Sequence, residues 1–439
     1  MIFSLDVRRA RKGDCLLLHY GTKAKRGLIM IDGGPRGVYA PHLKPRLQQI
    51  KTALGLSKQQ PLPVDLMMVS HVDDDHIVGI LECTKELIEA KEAHQPPLLR
   101  ALGLWHNSFD EIIGNTPKEL TASLTAQFGA TAATGDLPED ATLDEAELEQ
   151  GTSEETVVDS LKVLASIEQG HRLRTDADKL DIPLNPEFDS KLIIASDDQD
   201  VIDMSKGLEF TIVGPLKPEV LALQKKHDAW LKKLREQGLS PSAALAAYVD
   251  KSVHNLSSIV VHAKVGNKTM LLTGDARGDK VLKGLEVAGL LDSGADSTMH
   301  VDILKVPHHG SANNLDTDFF ERVTADHYVF SGNGEHGNPE REALEMLFEV
   351  RGKKPLTIHL TYPIDEIDVE REKDWKKEQK KEKKKKETNP NKKVRPNWSP
   401  KKHSLKAFFD DNPLARGQKL RIVDETAPHL IELSDPTGL

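Results

Sequence analysis

Side chains that can bind metals are concentrated in one short stretch of the sequence, SHVDDDHIVGI at residues 70–80. Two histidines and three aspartates lie within the six residues from His71 to His76. His71 and Asp73 are two positions apart, so their side chains point the same way in an extended loop. Asp75 and His76 are adjacent, and they can serve a second centre only if the loop turns between them. Because imidazole and carboxylate suit Zn, Mn and Fe, the stretch predicts a divalent metal site.

A solvated acidic turn with a helix N-cap is the alternative explanation, because aspartate favours the first turn of a helix. It accounts for one aspartate, such as Asp75, but for neither histidine. Two other stretches carry similar groups. LLTGDARGD places Asp275 at the end of an apolar strand, and KVPHHGSANN places His308 and His309 at the end of another. Loops that follow neighbouring strands converge at one edge of a sheet, which favours the metal site.

The elements that must position these residues are predicted strands and helices. VDLMMVS, directly before the first histidine, predicts a buried strand, and IVGILECTKELIEAKEA predicts the helix that follows. NLSSIVVHAKVGNKTMLLTGD predicts a hairpin with its turn at Gly266-Asn267. Strand-rich regions at about 1–110 and 207–365 flank a less regular insertion at about 110–205. An amphipathic helix is predicted at 218–238.

Length and composition indicate a soluble globular protein. The chain has 439 residues, of which 38% are hydrophobic. Its two cysteines, Cys15 and Cys83, argue against a disulfide framework or a thiolate metal site, so we expect a reducing, cytoplasmic location. No apolar stretch has the length of a signal peptide or a transmembrane helix, and we therefore expect no membrane association.

The net charge of −10 hides a segregation of the two signs. Residues 371–402 contain 15 Lys/Arg and 5 Asp/Glu, a local charge of +10, so the remainder carries −20. Residues 122–160 contain no Lys or Arg and are strongly acidic, which suggests a docking surface for a protein partner. The basic run predicts nucleic-acid contact through Lys383, Lys384, Lys385 and Lys386. A solvated linker, a charged helix, or pairing with the acidic insertion are the alternatives.

Four motifs in order give the chain a family resemblance. IDGG, the HxxxDH core of HVDDDH, TGD and VPHHGS resemble the metallo-β-lactamase superfamily. The hydrolase domain of ComEC-type DNA-uptake proteins is the most similar type, since it pairs a GD turn near the start with LLTGD and KVPHHGS. The matching segments cover about 1–110 and 207–365. The resemblance implies an α/β (α+β) fold, a four-layer αββα sandwich, as a hydrolase domain over 1–365 that the insertion interrupts. A basic extension, 366–439, ends in a short predicted strand.

The resemblance also implies a site at the sheet edge, where a metal-bound hydroxide attacks an ester, amide or phosphodiester. One or two divalent ions are expected, with Zn or Mn favoured and Fe or Mg as alternatives. The family usually has histidine where this chain has Asp73, whose oxygen shifts the preference toward harder ions. The implied ligands are His71 for the first metal, Asp75 and His76 for the second, Asp275 bridging both, and His308, favoured over His309, completing the second.

Other residues match the family's supporting positions. Asp32 of IDGG corresponds to the aspartate that holds the motif loop by hydrogen bonds. His254 lies 21 residues before Asp275 and fits the third histidine motif, with Asn255 competing for that place and His106 as the alternative. His336 in SGNGEHGNPE is expected to donate a proton to the leaving group, unless that stretch is only a Gly/Asn/Pro-rich turn. Asp73 or Asp75 is expected to orient the attacking water.

Three functions follow in order of preference. The first is a metal-dependent phosphodiesterase or nuclease that acts on nucleic acid or nucleotides, favoured by the ComEC-like motifs and the basic run. The second is a hydrolase of small esters, lactones or amides, in which the insertion shapes the pocket. The third is a catalytically impaired binding or scaffold protein, for which Asp73 is the only support.

Overall fold

Two large sheets dominate the fold, which is mixed α/β. The computed structural model describes residues 1–107, 168–221 and 258–439. The strands of the described residues are β1 Ile2–Val7, β2 Leu16–Gly21, β3 Arg26–Ile31, β4 Leu62–Val64, β5 Leu66–Met68, β6 Leu99–Ala101, β7 Leu104–Trp105, β8 Ile202–Asp203, β9 Leu208–Gly214, β10 Val260–Val265, β11 Lys268–Leu272, β12 Met299–Lys305, β13 Val323–Phe330, β14 Leu356–Leu360, β15 Gln418–Ile422 and β16 Leu430–Glu432.

The first sheet has the strand order β16-β1-β2-β3-β5-β7, and the second has the order β15-β14-β13-β12-β11-β10-β9-β8. A separate pair joins β4 to β6. Strands β11 to β15 run parallel to one another, as do β3, β5 and β7. The predicted hairpin is confirmed: β10 and β11 pair antiparallel around Gly266-Asn267, where Gly266 has a φ of +61° that glycine adopts without strain.

Helices connect and cover the strands. They are α1 Lys44–Ala53, α2 Asp74–Glu92, α3 Gly278–Val287, α4 Thr317–Arg322, α5 Arg341–Arg351, α6 Ile364–Thr388, α7 Pro400–His403 and α8 Leu405–Asp411. Helical residues also occupy 168–179 and 217–221. Single turns of other helix types lie at Tyr39–Leu43, Pro186–Phe188, Pro307–Gly310, Ala312–Asn314 and Glu335–Gly337. No helix among the described residues has a stretch both long and apolar enough to cross a membrane.

Three hydrophobic clusters show how these layers pack. The central cluster joins inward-facing residues of the two sheets, such as Leu18 and Trp105 from the first and Phe210 from the second. A second cluster lies between the first sheet and α1, α2 and the helix at 168–179. A third lies between the second sheet and helices α3, α4, α5, α6 and α8. The two sheets therefore face each other, with helices on both outer sides.

Close packing of glycines brings the loop after β3 against α2. Gly33 N donates to the His76 carbonyl at 2.8 Å, and Gly79 N donates to the Gly34 carbonyl at 2.9 Å. A Cβ on Gly79 would lie 1.9 Å from the Gly33 carbonyl oxygen, which leaves no room for a larger residue. The IDGG motif thus fixes the start of α2, where the HVDDDH motif lies.

The C-terminal segment is built into both sheets. β15 pairs with β14 over five residues, and β16 pairs with β1 in the first sheet. The sequence predicted a short strand at the end of a basic extension, and β15 occupies that place. β16, a three-residue strand, was not predicted. The chain after residue 366 therefore adds a strand to each of the two large sheets.

Candidate metal centre

The motif loop follows β5 and is held by Asp32, which follows β3. Asp32 Oδ1 accepts a hydrogen bond from Ser70 N at 2.7 Å, and Asp32 Oδ2 accepts one from Ser70 Oγ at 2.7 Å. His76 Nδ1 lies 2.8 Å from Asp32 Oδ2, so Nδ1 carries the proton and Nε2 is left to face the loop residues. Asp32 itself has a φ of +56°, which aims its carboxylate into the loop. These are the contacts expected of a residue that orients a metal ligand.

One group of ligand atoms surrounds the first oxygen of Asp275. Asp275 Oδ1 lies 3.3 Å from His76 Nε2 and 3.2 Å from His309 Nε2. His309 Nε2 also lies 3.8 Å from Asp75 Oδ2. In two overlapping groups, the ligand atoms lie within 4.8 Å of one another: Asp14, His76, Asp275 and His309 form one, and His71, Asp75 and His76 form the other. Buried aspartate and histidine side chains therefore lie close enough to hold a metal ion.

The second oxygen of Asp275 faces a different set of residues. Asp275 Oδ2 lies 3.8 Å from His71 Nε2 and 3.6 Å from His308 Nε2. His71 Nε2 lies 3.7 Å from Asp73 Oδ2. Asp73 is the N-cap residue of α2, but its side chain makes no capping hydrogen bond, and the N-cap explanation of the motif therefore does not account for it. The carboxylate of Asp275 thus lies between two pairs of histidines. One oxygen faces His76 and His309, and the other faces His71 and His308.

Four buried atoms of this arrangement lack a hydrogen-bond partner among the described residues. They are His71 Nε2, His76 Nε2, His309 Nε2 and Asp275 Oδ1. Leaving even one such group unsatisfied costs about 1–3 kcal/mol, so four of them in one place is an expensive arrangement for a protein without a ligand. Metal ions held in the two groups would accept lone pairs from these atoms. We call the set of Asp14, His71, Asp73, Asp75, His76, Asp275, His308 and His309 the His/Asp cluster.

Electrostatic coupling within the His/Asp cluster is strong. Burial alone would raise the pKa of the Asp275 carboxyl, but His309 and His76 hold that pKa well below its usual range. Burial alone would lower the pKa of the His76 imidazole, yet Asp275, Asp32 and Asp75 hold it well above its usual value. In the absence of a metal, protons on His76 therefore compensate the neighbouring carboxylates. A divalent ion would displace these protons on binding.

Asp14 and Lys305 are buried members of the site that sequence reasoning missed. Lys305 Nζ lies 2.5 Å from Asp14 Oδ2, and both side chains are 1% exposed. Ser331 Oγ donates to Asp14 Oδ1 and lies 3.0 Å from His309 Nδ1. Burial alone would raise the pKa of Asp14, but Lys305 and the neighbouring histidines lower it. The GD turn was the available signal, because a Cβ on Gly13 would lie 1.8 Å from the Asp75 carbonyl oxygen.

The two histidines of VPHHGS have separate positions. Both adopt left-handed backbone conformations, with φ of 46° at His308 and 55° at His309. His309 is 2% exposed and faces Asp75, whereas His308 is 25% exposed and faces the other oxygen of Asp275. The sequence favoured His308 beside Asp75 and His76. The structure instead places His309 there, because the two consecutive left-handed residues turn the second ring inward.

Among the described residues singled out in the sequence, His336 and His106 belong to neither group of ligand atoms. His336 is exposed, on the single turn Glu335–Gly337 after β13. His106 directly follows β7 and is buried. Its backbone N–H donates to the side-chain oxygen of Asn185, and its carbonyl accepts from the side-chain amide of Asn185. His254 and Asn255 lie outside the described residues, as do most of the insertion and most of the helix predicted at 218–238. The four lysines at 383–386 are exposed near the end of α6.

Comparisons with known proteins give only short partial similarities. No known family profile matches the sequence. Microtubule-associated protein 1A of Rattus norvegicus is 36% identical over 81 residues, which is 18% of this chain and 3% of that protein. The proteins of the same name from Mus musculus and Homo sapiens are each 37% identical over 76 residues, 17% of this chain. The chain thus spans about 3% of the length of the curated relatives it matches.

Proposed function

We propose that this protein is a metal-dependent hydrolase with a metallo-β-lactamase fold, and that it cleaves phosphodiester bonds in nucleic acid or nucleotides. One observation carries the proposal: His76 and His309 face one oxygen of the buried Asp275 carboxylate, and His71 and His308 face the other. Loops from both sheets supply these atoms. An arrangement with one oxygen per group is what a carboxylate bridging two metal ions requires.

The order of layers and motifs supports the family assignment in this proposal. Two sheets face each other between outer helices, and the motifs IDGG, HVDDDH, TGD and VPHHGS follow β3, β5, β11 and β12. These strands belong to two parallel runs, so the loops at their carboxyl ends meet at one edge. Ligand-binding loops collect at such an edge in α/β proteins.

Formal charge supports the occupancy of two divalent ions. The site brings together five carboxylates and one ammonium, a formal charge of −4 that two divalent cations would cancel. Buried charges without such compensation are strongly destabilising. The carboxylates are those of Asp14, Asp32, Asp73, Asp75 and Asp275, and the ammonium is that of Lys305.

Metal ions held at this site would lower the pKa of a shared water toward neutrality and stabilise the attacking and leaving oxygens. The residues of the chain provide the positioning. Asp73 and Asp75 have side chains 33% and 20% exposed, so their outer oxygens can accept hydrogen bonds from an entering water. Asp32 and Ser70 hold the loop, and His76 Nδ1 keeps its proton, which it donates to Asp32 Oδ2.

Preference for a phosphodiester rests on two features. The ComEC-like combination of GD, LLTGD and KVPHHGS is one. The other is the basic helix α6, whose first turns pack against the loop that follows β13. The turns of α6 next to that loop, residues 364–374, carry six acids and two basic residues, and the lysine-rich turns follow at 376–386. An anionic polymer would meet positive charge at these later turns, which favours its association with the protein.

Turnover with a panel of substrates tests this proposal. The protein, loaded in turn with Zn, Mn, Fe or Mg, is assayed against bis-p-nitrophenyl phosphate and against a set of lactones and esters. We expect diester cleavage, and we expect His71→Ala to abolish it. An exposed histidine away from the site provides the control, since His94→Ala should leave the rate unchanged. Lactone turnover without diester turnover would contradict the phosphodiesterase assignment.

A further inference from the structure

The lysine-rich segment forms a helix, α6, that starts beside the candidate metal centre. The Ile367 carbonyl oxygen would lie 2.2 Å from a Cβ on Gly334, so the helix packs directly on the loop after β13. Arg371 Nε donates to the Gly337 carbonyl of the same loop at 3.0 Å. That loop begins at Ser331, which contacts the His/Asp cluster. The three steps from Ser331 to Gly334 span at most about 11 Å of extended chain.

One face of α6 is covered by the chain that returns after it. Trp375 Nε1 donates to the Pro396 carbonyl at 2.9 Å, and the Trp375 ring stacks on His403 with centroids 4.2 Å apart. Glu382 accepts hydrogen bonds from the backbone and the guanidinium of Arg395 at 2.7 and 3.0 Å. Trp398 lies beside Trp375, with ring centroids 5.7 Å apart. Both tryptophans are thus used for packing within the chain, which removes them as stacking platforms for bases. The residues that contact the returning chain are Arg371, Trp375, Gln379 and Glu382.

The opposite face of α6 carries a row of exposed lysines. Lys373, Lys377, Lys380 and Lys384 recur at intervals of four, three and four residues, which keeps them on one side of a helix. At about 100° per residue, this row lies about half a turn from the covered face. We call these four residues the lysine stripe. Lys373 pairs with Glu370 at 2.6 Å, whereas the glutamate at 382 points to the covered side.

We propose that the lysine stripe binds the phosphate backbone of a nucleic-acid strand. The choice of nucleic acid rests on the proposed phosphodiesterase function. From Lys373 to Lys384 the helix rises about 16 Å, which matches about five phosphates at the ~3.4 Å spacing of one strand of a duplex. Glu370 and Glu387 lie near the two ends of this row, and Glu382 turns to the covered side, so Lys377, Lys380 and Lys384 form the part of the stripe that no acid interrupts.

Binding of single-stranded DNA by matched variants tests the stripe. The triple variant Lys377→Gln, Lys380→Gln, Lys384→Gln removes three charges and keeps helix-compatible side chains. Its control neutralises Lys23, Lys25 and Lys58, which are exposed at the opposite end of the first sheet. Fluorescence anisotropy of a labelled oligonucleotide is measured in the full chain, with EDTA present to prevent cleavage.

A quantitative result is expected from counterion release. Three lost phosphate contacts reduce the slope of log K against log salt by about 2, which is about 100-fold weaker binding at about 0.1 M salt. The control variant should bind like the wild type. Unchanged binding by the stripe variant would overturn the inference. So would equal binding of a polyglutamate peptide of the same charge, because the surface would then recognise acidic polypeptides, including the chain's own segment 122–160.

Hydrolysis of bis-p-nitrophenyl phosphate separates the two proposals. This small diester is too short to reach the stripe, so the stripe variant should cleave it at the wild-type rate. If the stripe variant cleaves the diester at the full rate and also binds DNA like the wild type, the inference about the lysine stripe is wrong and the proposed hydrolase is unaffected. Salt-dependent DNA binding through the stripe, without any diester cleavage by the wild type, would contradict the proposed hydrolase and leave the binding surface standing.

Discussion

Asp275→Asn should remove most of the thermal stabilisation that a bound metal provides. The substitution keeps the shape of the side chain but removes the charge that faces His76 and His309 on one side and His71 and His308 on the other. Residues that only support a ligand typically contribute 10–100-fold to metal affinity, so a carboxylate between two groups should contribute at least about 100-fold.

The expected shift can be worked out for a metal concentration about 1,000 times the wild-type Kd. The metal then stabilises the folded wild type by about 4.1 kcal/mol. The roughly 340 described residues imply an unfolding entropy of about 0.7 kcal/mol/K, so Tm rises by about 6 °C. With a 100-fold higher Kd, the variant gains only about 1.4 kcal/mol, or about 2 °C.

Differential scanning calorimetry with and without metal measures both shifts. Asp302→Asn is the matched control, because Asp302 is buried on β12 and contacts Lys268 and the backbone of Thr269 instead of the cluster. Its basal Tm is expected to fall, but its metal-induced shift should equal that of the wild type. A full shift of about 6 °C in Asp275→Asn would refute the bridging role.

Three further predictions follow from the same geometry. His309→Gln should release more bound metal per chain than His308→Gln, because His309 is buried beside both Asp75 and the bridging carboxylate; equal losses by elemental analysis would contradict this. Lys305→Met should cost about 3–5 kcal/mol in the free energy of unfolding, measured in urea, because it leaves a buried carboxylate without its partner. Burial and the neighbouring histidines lower the pKa of His359 to about 2. As pH falls below about 6.5, the unfolded chain takes up a proton at this position that the folded chain does not, so stability falls by about 2 kcal/mol between about pH 7 and pH 5. His359→Gln should lack this part of the decrease in stability. An equal loss of stability in the variant and the wild type, measured by urea unfolding at the two pH values, would contradict the prediction.

The general position of the site could be predicted because it depends on local patterns. Apolar strands that end in His or Asp are readable in the sequence, and the convergence of their loops follows from sheet geometry. The motif loop after β5 and Asp275 after β11 were anticipated in this way. The distances between these residues and the rest of the His/Asp cluster were not predictable, because they depend on how the two sheets are packed against each other.

Residues whose role depends on distant contacts were not predictable. Lys305 continues an apolar strand and gives no sign that its ammonium meets Asp14, almost 300 positions earlier. The choice between His308 and His309 depends on two consecutive left-handed residues, which non-glycine residues rarely adopt. β16 has only three residues and pairs with β1 at the other end of the chain. A pattern that short carries no periodicity to recognise.

The most direct test of the central claim is the turnover of bis-p-nitrophenyl phosphate by chelator-treated protein as Zn or Mn is restored stepwise. We predict no activity in the stripped protein and a rise that saturates at one or two equivalents of metal per chain. Asp275→Asn should not recover under the same conditions. Turnover that survives chelation, or that never appears at any metal concentration, would contradict the assignment of this cluster as the metal centre of a hydrolase.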